Sequence, residues 1–233
     1  MIWESTLSNS DSLAASRYSL SAQVRNHILS KIAVGDLAPG DRIVEARIAD
    51  ELRVSSIPVR EAIRELVAKR VLEYVVHKGA RVREVSMAET VDALQVKAVL
   101  EALAARLAGA GLAQCAARLQ QCLKPMRGLL IQHDFVRFQD QNQRFHRTIM
   151  ETSGNPILLT MWDSLAFEVR TRFIMDHLKA IDPDQLAREH EDVLRAIEAG
   201  DTEGVARLLT THSQNLIEGL KNQLASGAGS GET

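Results

Sequence analysis

"VSSIPVREAIRELVAKRVLEY", residues 54–74, sets apolar side chains at helical spacing (Val59, Ile63, Leu66, Val67) against Arg60, Arg64, Lys69 and Arg70. Ser55 or Ser56 offers a helix cap, and Pro58 falls in the first turn, where a missing N–H costs little. The stretch predicts a helix ending near Lys69, with one apolar stripe for docking and Arg60 and Arg64, four apart, on an exposed face. Taken alone, this pattern also fits a solvated amphipathic helix. Its neighbours decide between the two readings.

Upstream, LSAQVRNHILSKIAVG (20–35) repeats Leu20, Val24, Ile28 and Ile32 on one stripe, with Ser21 as the expected N-cap and Gly35 as the stop. The turn LAPGDRI leads into EARIADELRV, a helix of two turns. Downstream, VLEYVVHKGARVREV (71–85) alternates, is rich in Val and centres on His77-Lys78-Gly79, which predicts a β-hairpin. Helix, helix-turn-helix and hairpin in that order make a winged helix. In such a unit the second helix of the pair enters the major groove and the hairpin tip lies beside the phosphate backbone. On that reading Ser55, Ser56, Arg60 and Arg64, with Arg47 and the wing residues His77, Lys78 and Gly79, are the DNA-contacting set.

Charge distribution agrees. The chain of 233 residues carries a formal net charge of −2. Residues 17–84 hold thirteen Lys and Arg against nine Asp and Glu, a net of +4, which leaves −6 for the remainder. A basic first third on an acidic body is the layout of a nucleic-acid reader joined to something else. With 45% apolar, 25% charged and 4% aromatic residues, the composition is that of a globular, mostly helical protein. No stretch approaches the roughly 18 uninterrupted apolar residues of a membrane span. The first residues lack the basic-then-apolar run of a signal peptide, so a cytoplasmic location is expected. Cys115 and Cys122 are expected as reduced core thiols.

Residues 1–17 are Ser-rich and aperiodic and are expected as a mobile N-terminal arm, followed by the winged helix over 18–85. From Ser86 the pattern predicts six long helices, near 87–109, 112–131, 134–151, 156–178, 183–199 and 202–224. Short breaks separate them, giving an antiparallel helical bundle over 86–225 and a flexible tail over 226–233. Asn142 and His146, four apart, share a helix face, and His190 and His212 sit on two later helices. Four such N/O side chains converging in a bundle core suit a divalent metal such as Zn, Ni or Mn, although a His on an amphipathic helix is also a common core residue. His27, His133 and His177 show no partner pattern and are read as structural.

"LAPGDRIVEARIADELRVSSIPVREAIRELVAKRVLEYVVHKGARV" resembles the DNA-binding domain of the GntR family of bacterial transcription regulators. The family pattern is met at Pro39, Gly40, Glu45, Ala49, Val54, Ser55, Pro58, Val59, Arg60, Glu61, Ala62 and Gly79; Ser56 stands where the family has an operator-touching Arg. Four further pieces, LEALAARLAG, NQRFHRTIMETSGNPIL, EHEDVLRAIEAGD and ARLLTTHSQNL, resemble the FCD effector domain of the FadR-type branch, in its shorter six-helix, VanR-like form. That resemblance implies a metal held by Asn142, His146, His190 and His212, with Asn142 replacing the family's Asp. It also implies a small carboxylate effector met by Lys97 and Arg172.

The reading is a ligand-responsive regulator, a homodimer on a palindromic operator, with repression as the expected sign. Two alternatives stand beside it. A metal-dependent hydrolase would need a base near the ion, and Glu189, about 100° around the helix from His190, is not expected to face the same pocket. A metal-responsive regulator would take the ion itself as its signal.

Overall fold

The computed structural model describes residues 7–179 and 181–228, with backbone alone at 7–19, 168, 171–173, 175, 176, 224 and 226–228. These residues form two compact units, the first running to Glu84 and including Ala166–Val169, the second made of Val85–Leu165 and the residues from Arg170 on.

The first unit begins with α1 (Leu7–Val34), followed by α2 (Glu45–Leu52) and α3 (Ser56–Ala68). The expected start at Ser21 is corrected. The helix opens at Leu7, and Ser21 is buried within it at 2% exposure instead of capping it. Of the expected arm, residues 1–6 lie outside the described residues, and 7–17 are helical. Val24 and Ile28 of α1, Ile48 of α2, and Val59, Ile63 and Leu66 of α3 are each at most 3% exposed and build the core. Arg25 bonds Glu65 at 2.8 Å, tying α1 to α3, while Lys31 and His27 reach Glu51 at 2.6 and 2.9 Å, tying α1 to α2.

Arg53 ends α2 in the left-handed region (φ 54°), its N–H returning to Ala49 and Asp50 carbonyls, and so makes the sharp turn into α3. The hairpin forms as expected, with β1 (Leu72–Val75) antiparallel to β2 (Gly79–Val82) and Leu72 opposite Val82. His77 (φ 62°) and Gly79 (φ 80°) supply the positive φ of its tight connection. A bridge from Arg42 to Arg81 adds a short third edge.

The second unit comprises α4 (Met87–Ala108), a 3-10 turn (Gly109–Gly111), α5 (Leu112–Ile131), α6 (Phe135–Thr152), α7 (Pro156–Asp163), α8 (Phe167–Leu178) from Arg170 on, α9 (Pro183–Glu198) and α10 (Thr202–Ala228). Four of these helices start at a side-chain cap. Ser86 accepts from the Glu89 N–H, Asp134 from Arg137, Asn155 from Ile157 and Leu158, and Asp182 from Asp184. The helix expected over 156–178 is interrupted. Ser164 ends α7, and Ala166 takes a positive φ of 48°, which no helix continues through. α4 packs along α10 and against α6 and α7, while α5 lies against α6 and α9. Phe138, Phe145, Leu119, Met126, Ile149 and Leu209 are essentially inaccessible at its centre. Cys115 and Cys122 are buried free thiols, as expected.

Candidate metal and effector site

Helix capping places three of the four expected ligands. Asp134 fixes the start of α6, which sets Asn142 and His146 one turn apart. Asp182 and Pro183 fix the start of α9 and thereby His190, and α10 brings His212. Ring centroids are 5.3 Å apart for His146 and His212, 4.6 Å for His190 and His212, and 5.6 Å for His146 and His190. One ring nitrogen from each of the three lies within 4.8 Å of the others. Asn142 Oδ1 is 2.8 Å from His190 Nε2.

Which nitrogen faces inward follows from what the other one meets. His146 Nδ1 is 3.0 Å from Glu101 Oε2. His190 Nδ1 is 2.9 Å from the Leu186 carbonyl. His212 Nδ1 is 2.7 Å from Glu189 Oε2. A carboxylate or a carbonyl oxygen can only accept, so each Nδ1 carries the proton and each Nε2 is left with a lone pair. Burial lowers the pKa of His146 to about 4, with Glu101 opposing the effect. Burial also takes His190 well below the ordinary imidazole value, with the neighbouring His212 and His146 adding to it.

Around the triad lies a buried charge network that the sequence did not disclose. Glu101, 0% exposed, accepts from Lys97 Nζ at 2.7 Å, from the Trp162 indole N–H at 2.9 Å and from His146. Burial alone would raise its pKa; His146 and Lys97 outweigh that and hold the carboxyl well below the usual range. Lys97, expected as an effector contact, is engaged with Glu101 and lies 3.4 Å from His146 Nδ1. The side chain of Arg172 lies outside the described residues. The expectation for Glu189 is corrected. It faces the site because the neighbouring α10 presents His212 and Asn215 to its two oxygens, at 2.7 and 2.8 Å, while His190 points to Asn142.

The donor set fits a divalent ion. His146 Nε2 is buried with no hydrogen-bond partner, and His190 Nε2 lies within hydrogen-bond distance of Asn142 Oδ1. Orphaned lone pairs of this kind cost free energy unless a cation or a donor meets them. Three imidazoles and a neutral amide oxygen favour Zn or Ni over Mn, which prefers carboxylates. Acceptors behind each ligating imidazole are what orients such rings.

Beside the triad is a cavity of about 200 Å³. Asn142, His212 and Glu189 lie on its wall, with Gln139, Asn215 and His177. His177, expected as a structural residue, is thus a lining residue. It rests against Gly219, where a Cβ would collide with the imidazole, and burial lowers its pKa.

In the first unit, the expected DNA-contacting side chains are all exposed. Ser55 occupies the N-cap of α3 but its hydroxyl makes no capping bond, so the α3 N-terminus keeps its free donors for a phosphate or base. Arg60 donates to Glu45 at 2.8 Å, which holds the guanidinium over α2. Arg47 is paired with Glu51 at 3.0 Å, and Arg64 has no ion pair among the described residues. His77, Lys78 and Gly79 form the hairpin tip. Ile57, 50% exposed beside Ser56, was not singled out from the sequence. Its apolar type gave no signal; only its exposure does.

Comparison with known proteins joins both units to one family. Residues 20–82 match the family described as bacterial regulatory proteins, gntR family, and residues 92–215 match the FCD domain. The chain is 35% identical to the "Probable D-xylose utilization operon transcriptional repressor" of Paenarthrobacter nicotinovorans, over 84% of this chain and 86% of that one. It is 31% identical to the HTH-type transcriptional regulator McbR of Escherichia coli (strain K12), over 88% and 94%. The solved structure of E. coli McbR/YncC superposes with a TM-score of 0.73 at 28% identity, over 88% and 98%. The families and relatives matched are transcription regulators, not enzymes. With a winged helix whose reading head is exposed and a helical domain built around a histidine-lined cavity, the chain belongs to the GntR family of DNA-binding transcription regulators, in the FadR-type branch that carries an FCD domain.

Proposed function

We propose that the protein is a ligand-responsive repressor that binds a palindromic operator as a homodimer and senses a small organic molecule beside a divalent ion held by Asn142, His146, His190 and His212. The observation that carries this reading is the convergence of three imidazoles, each with its Nδ1 against an acceptor oxygen, beside a cavity that His212 and Asn142 line. When bound, the ion supplies a positive centre for an anionic or lone-pair-bearing group of the effector. This chain's residues orient the rings through Glu101, Leu186 and Glu189 and enclose the ligand.

The adjoining cavity favours an organic effector over the ion alone as the signal, since an ion needs no room beyond its ligands. A cytoplasmic location fits this role, and no helix among the described residues is long and apolar enough to cross a membrane. Repression is supported by the names of relatives, among them the xylose-operon protein and RspR of E. coli.

Dimerisation is supported by α4, which is apolar on both faces. Its inner face is core, while Val96, Val99, Leu103 and Leu107 are 41–68% exposed along the other. A helix apolar on all sides belongs in an interior, and a second copy pairing about a two-fold axis would cover it. On DNA, Ser55, Ser56, Arg60, Arg64 and Arg47 with His77, Lys78 and Gly79 form the contact set, the wing and Arg residues serving phosphates and the start of α3 serving base edges.

The test is capture of genomic fragments by the purified protein, metal-loaded and chelator-stripped. Enrichment of one two-fold element, with affinity that changes on adding effector to the loaded form, is expected. A signal that follows metal alone would establish the metal-sensing reading instead.

A further inference from the structure

We infer that the cavity selects a small amphipathic ligand, with one polar end that includes a hydrogen-bond donor and an apolar body, and discriminates against sugars, sugar acids and polycarboxylates. This rests on the effector-site reading above and narrows it to a chemical class.

Size comes first. At about 200 Å³ the cavity is smaller than the roughly 300–1,000 Å³ of pockets for drug-sized ligands, so its ligand is small. Next is the wall. Phe138, Ile174, Leu178, Ile181, Leu186 and Leu216 line it, and these side chains offer a hydroxyl or a second carboxylate no partner. A polar group placed against them loses its water and regains nothing.

Polar groups are gathered on Gln139, Asn142, Glu189, His212 and Asn215, with His177 and Gln185, and several are engaged with one another. Both Glu189 oxygens are taken, by His212 and Asn215, and Asn142 Oδ1 faces His190. Glu189 also sets a negative charge at the wall, which repels a second carboxylate on the ligand. Lys97, 3.4 Å from His146, is neutralised by Glu101 and is not among the wall residues.

Among these polar groups Gln139 has an oxygen with no partner. It is 8% exposed, it lines the cavity, and its Oε1 is buried without a hydrogen-bond partner. A carbonyl oxygen in that state calls for a donor, and a ligand hydroxyl or amine at the polar end provides one. A site built to bond such a group discriminates strongly against an analogue that lacks it.

The test is isothermal titration of the full-length protein, zinc-loaded and separately chelator-stripped, with two sets of probes. One set is 2-hydroxy-4-methylpentanoate, its deoxy analogue 4-methylpentanoate, and 4-hydroxybenzoate; the other is succinate, citrate, gluconate and D-xylose. At least tenfold tighter binding of the first set is expected, with the hydroxylated acid tighter than its deoxy analogue. Gln139→Leu is expected to abolish the difference between those two acids while both still bind. Equal or tighter binding of succinate, citrate, gluconate or xylose would overturn the ligand class and leave the effector site standing. No heat from any probe in either form would overturn the effector site and this inference with it. A preference for the hydroxylated acid that survives Gln139→Leu would remove Gln139 from the recognition.

Discussion

His190 Nε2 and Asn142 Oδ1 stand 2.8 Å apart, and with Nδ1 of His190 donating to the Leu186 carbonyl both atoms present lone pairs. Two acceptors at that distance repel each other unless a cation shares them or the amide is turned to present its nitrogen. Asn142→Asp adds a charged oxygen at the same place and is expected to tighten Zn or Ni retention by about tenfold or more, ~1.4 kcal/mol per decade. Asn142→Leu is expected to weaken it. Competition against a chromophoric chelator reads both, and equal retention in the two variants would remove Asn142 from the ligand set.

Glu101 neutralises Lys97 in a buried site, where Lys97 is 7% exposed and Glu101 0%. Glu101→Gln leaves a buried ammonium without its counter-charge and is expected to cost about 3–5 kcal/mol. Lys97→Met in the same background removes the stranded charge and is expected to restore much of the loss. Urea unfolding of the single and double variants measures this; a double variant no better than the single would show that the ion pair is not the origin.

Arg60 and Glu45 form an exposed pair at 2.8 Å, so the guanidinium is positioned before DNA arrives. Arg60→Ala is expected to weaken operator binding and to flatten the log affinity against log salt slope by about one unit. Glu45→Ala, which frees Arg60 and deletes a negative charge near the phosphates, is expected to tighten non-specific binding. Binding isotherms at several salt concentrations check both, and an unchanged slope for Arg60→Ala would take it off the phosphate-contact list.

Glu51 gathers hydrogen bonds from Lys31, His27 and Arg47, which hold its pKa at about 2. A depressed carboxylate pKa contributes stability that is present above the unfolded value near 4.5 and is lost as pH falls from there toward 2. The group is partly exposed, so the effect is below about 1 kcal/mol. Glu51→Gln is expected to lower the unfolding midpoint at pH 7 and to converge on the wild type by pH 2–3. A constant gap across that range would mean that charge is not involved.

The winged helix was legible because its signals are local: helical spacing in Val59, Ile63 and Leu66, the Ser55-Pro58 start and the His77-Gly79 turn each act within a few residues. The histidine triad was legible as a set, since helix spacing places Asn142 beside His146. Its surroundings were not. Glu101 is on α4 and meets His146 on α6, and Trp162 on α7 meets Glu101, so only packing brings them together. Glu189 was misjudged for the same reason: the angle from its neighbour His190 is fixed by the helix, but the presence of His212 opposite is fixed by α10. The break at Ser164–Ala166 left no mark either, because nothing there is a strong helix breaker.

The most direct measurement is metal content of the purified protein by elemental analysis, after loading with Zn, Ni or Mn and removal of free ion, for the wild type and for His146→Ala with His212→Ala. The account predicts close to one equivalent of Zn or Ni per chain in the wild type, and loss of that ion in the double variant while operator-free DNA binding by the winged helix persists. A wild type that retains no ion, or a double variant that retains it in full, would contradict the account.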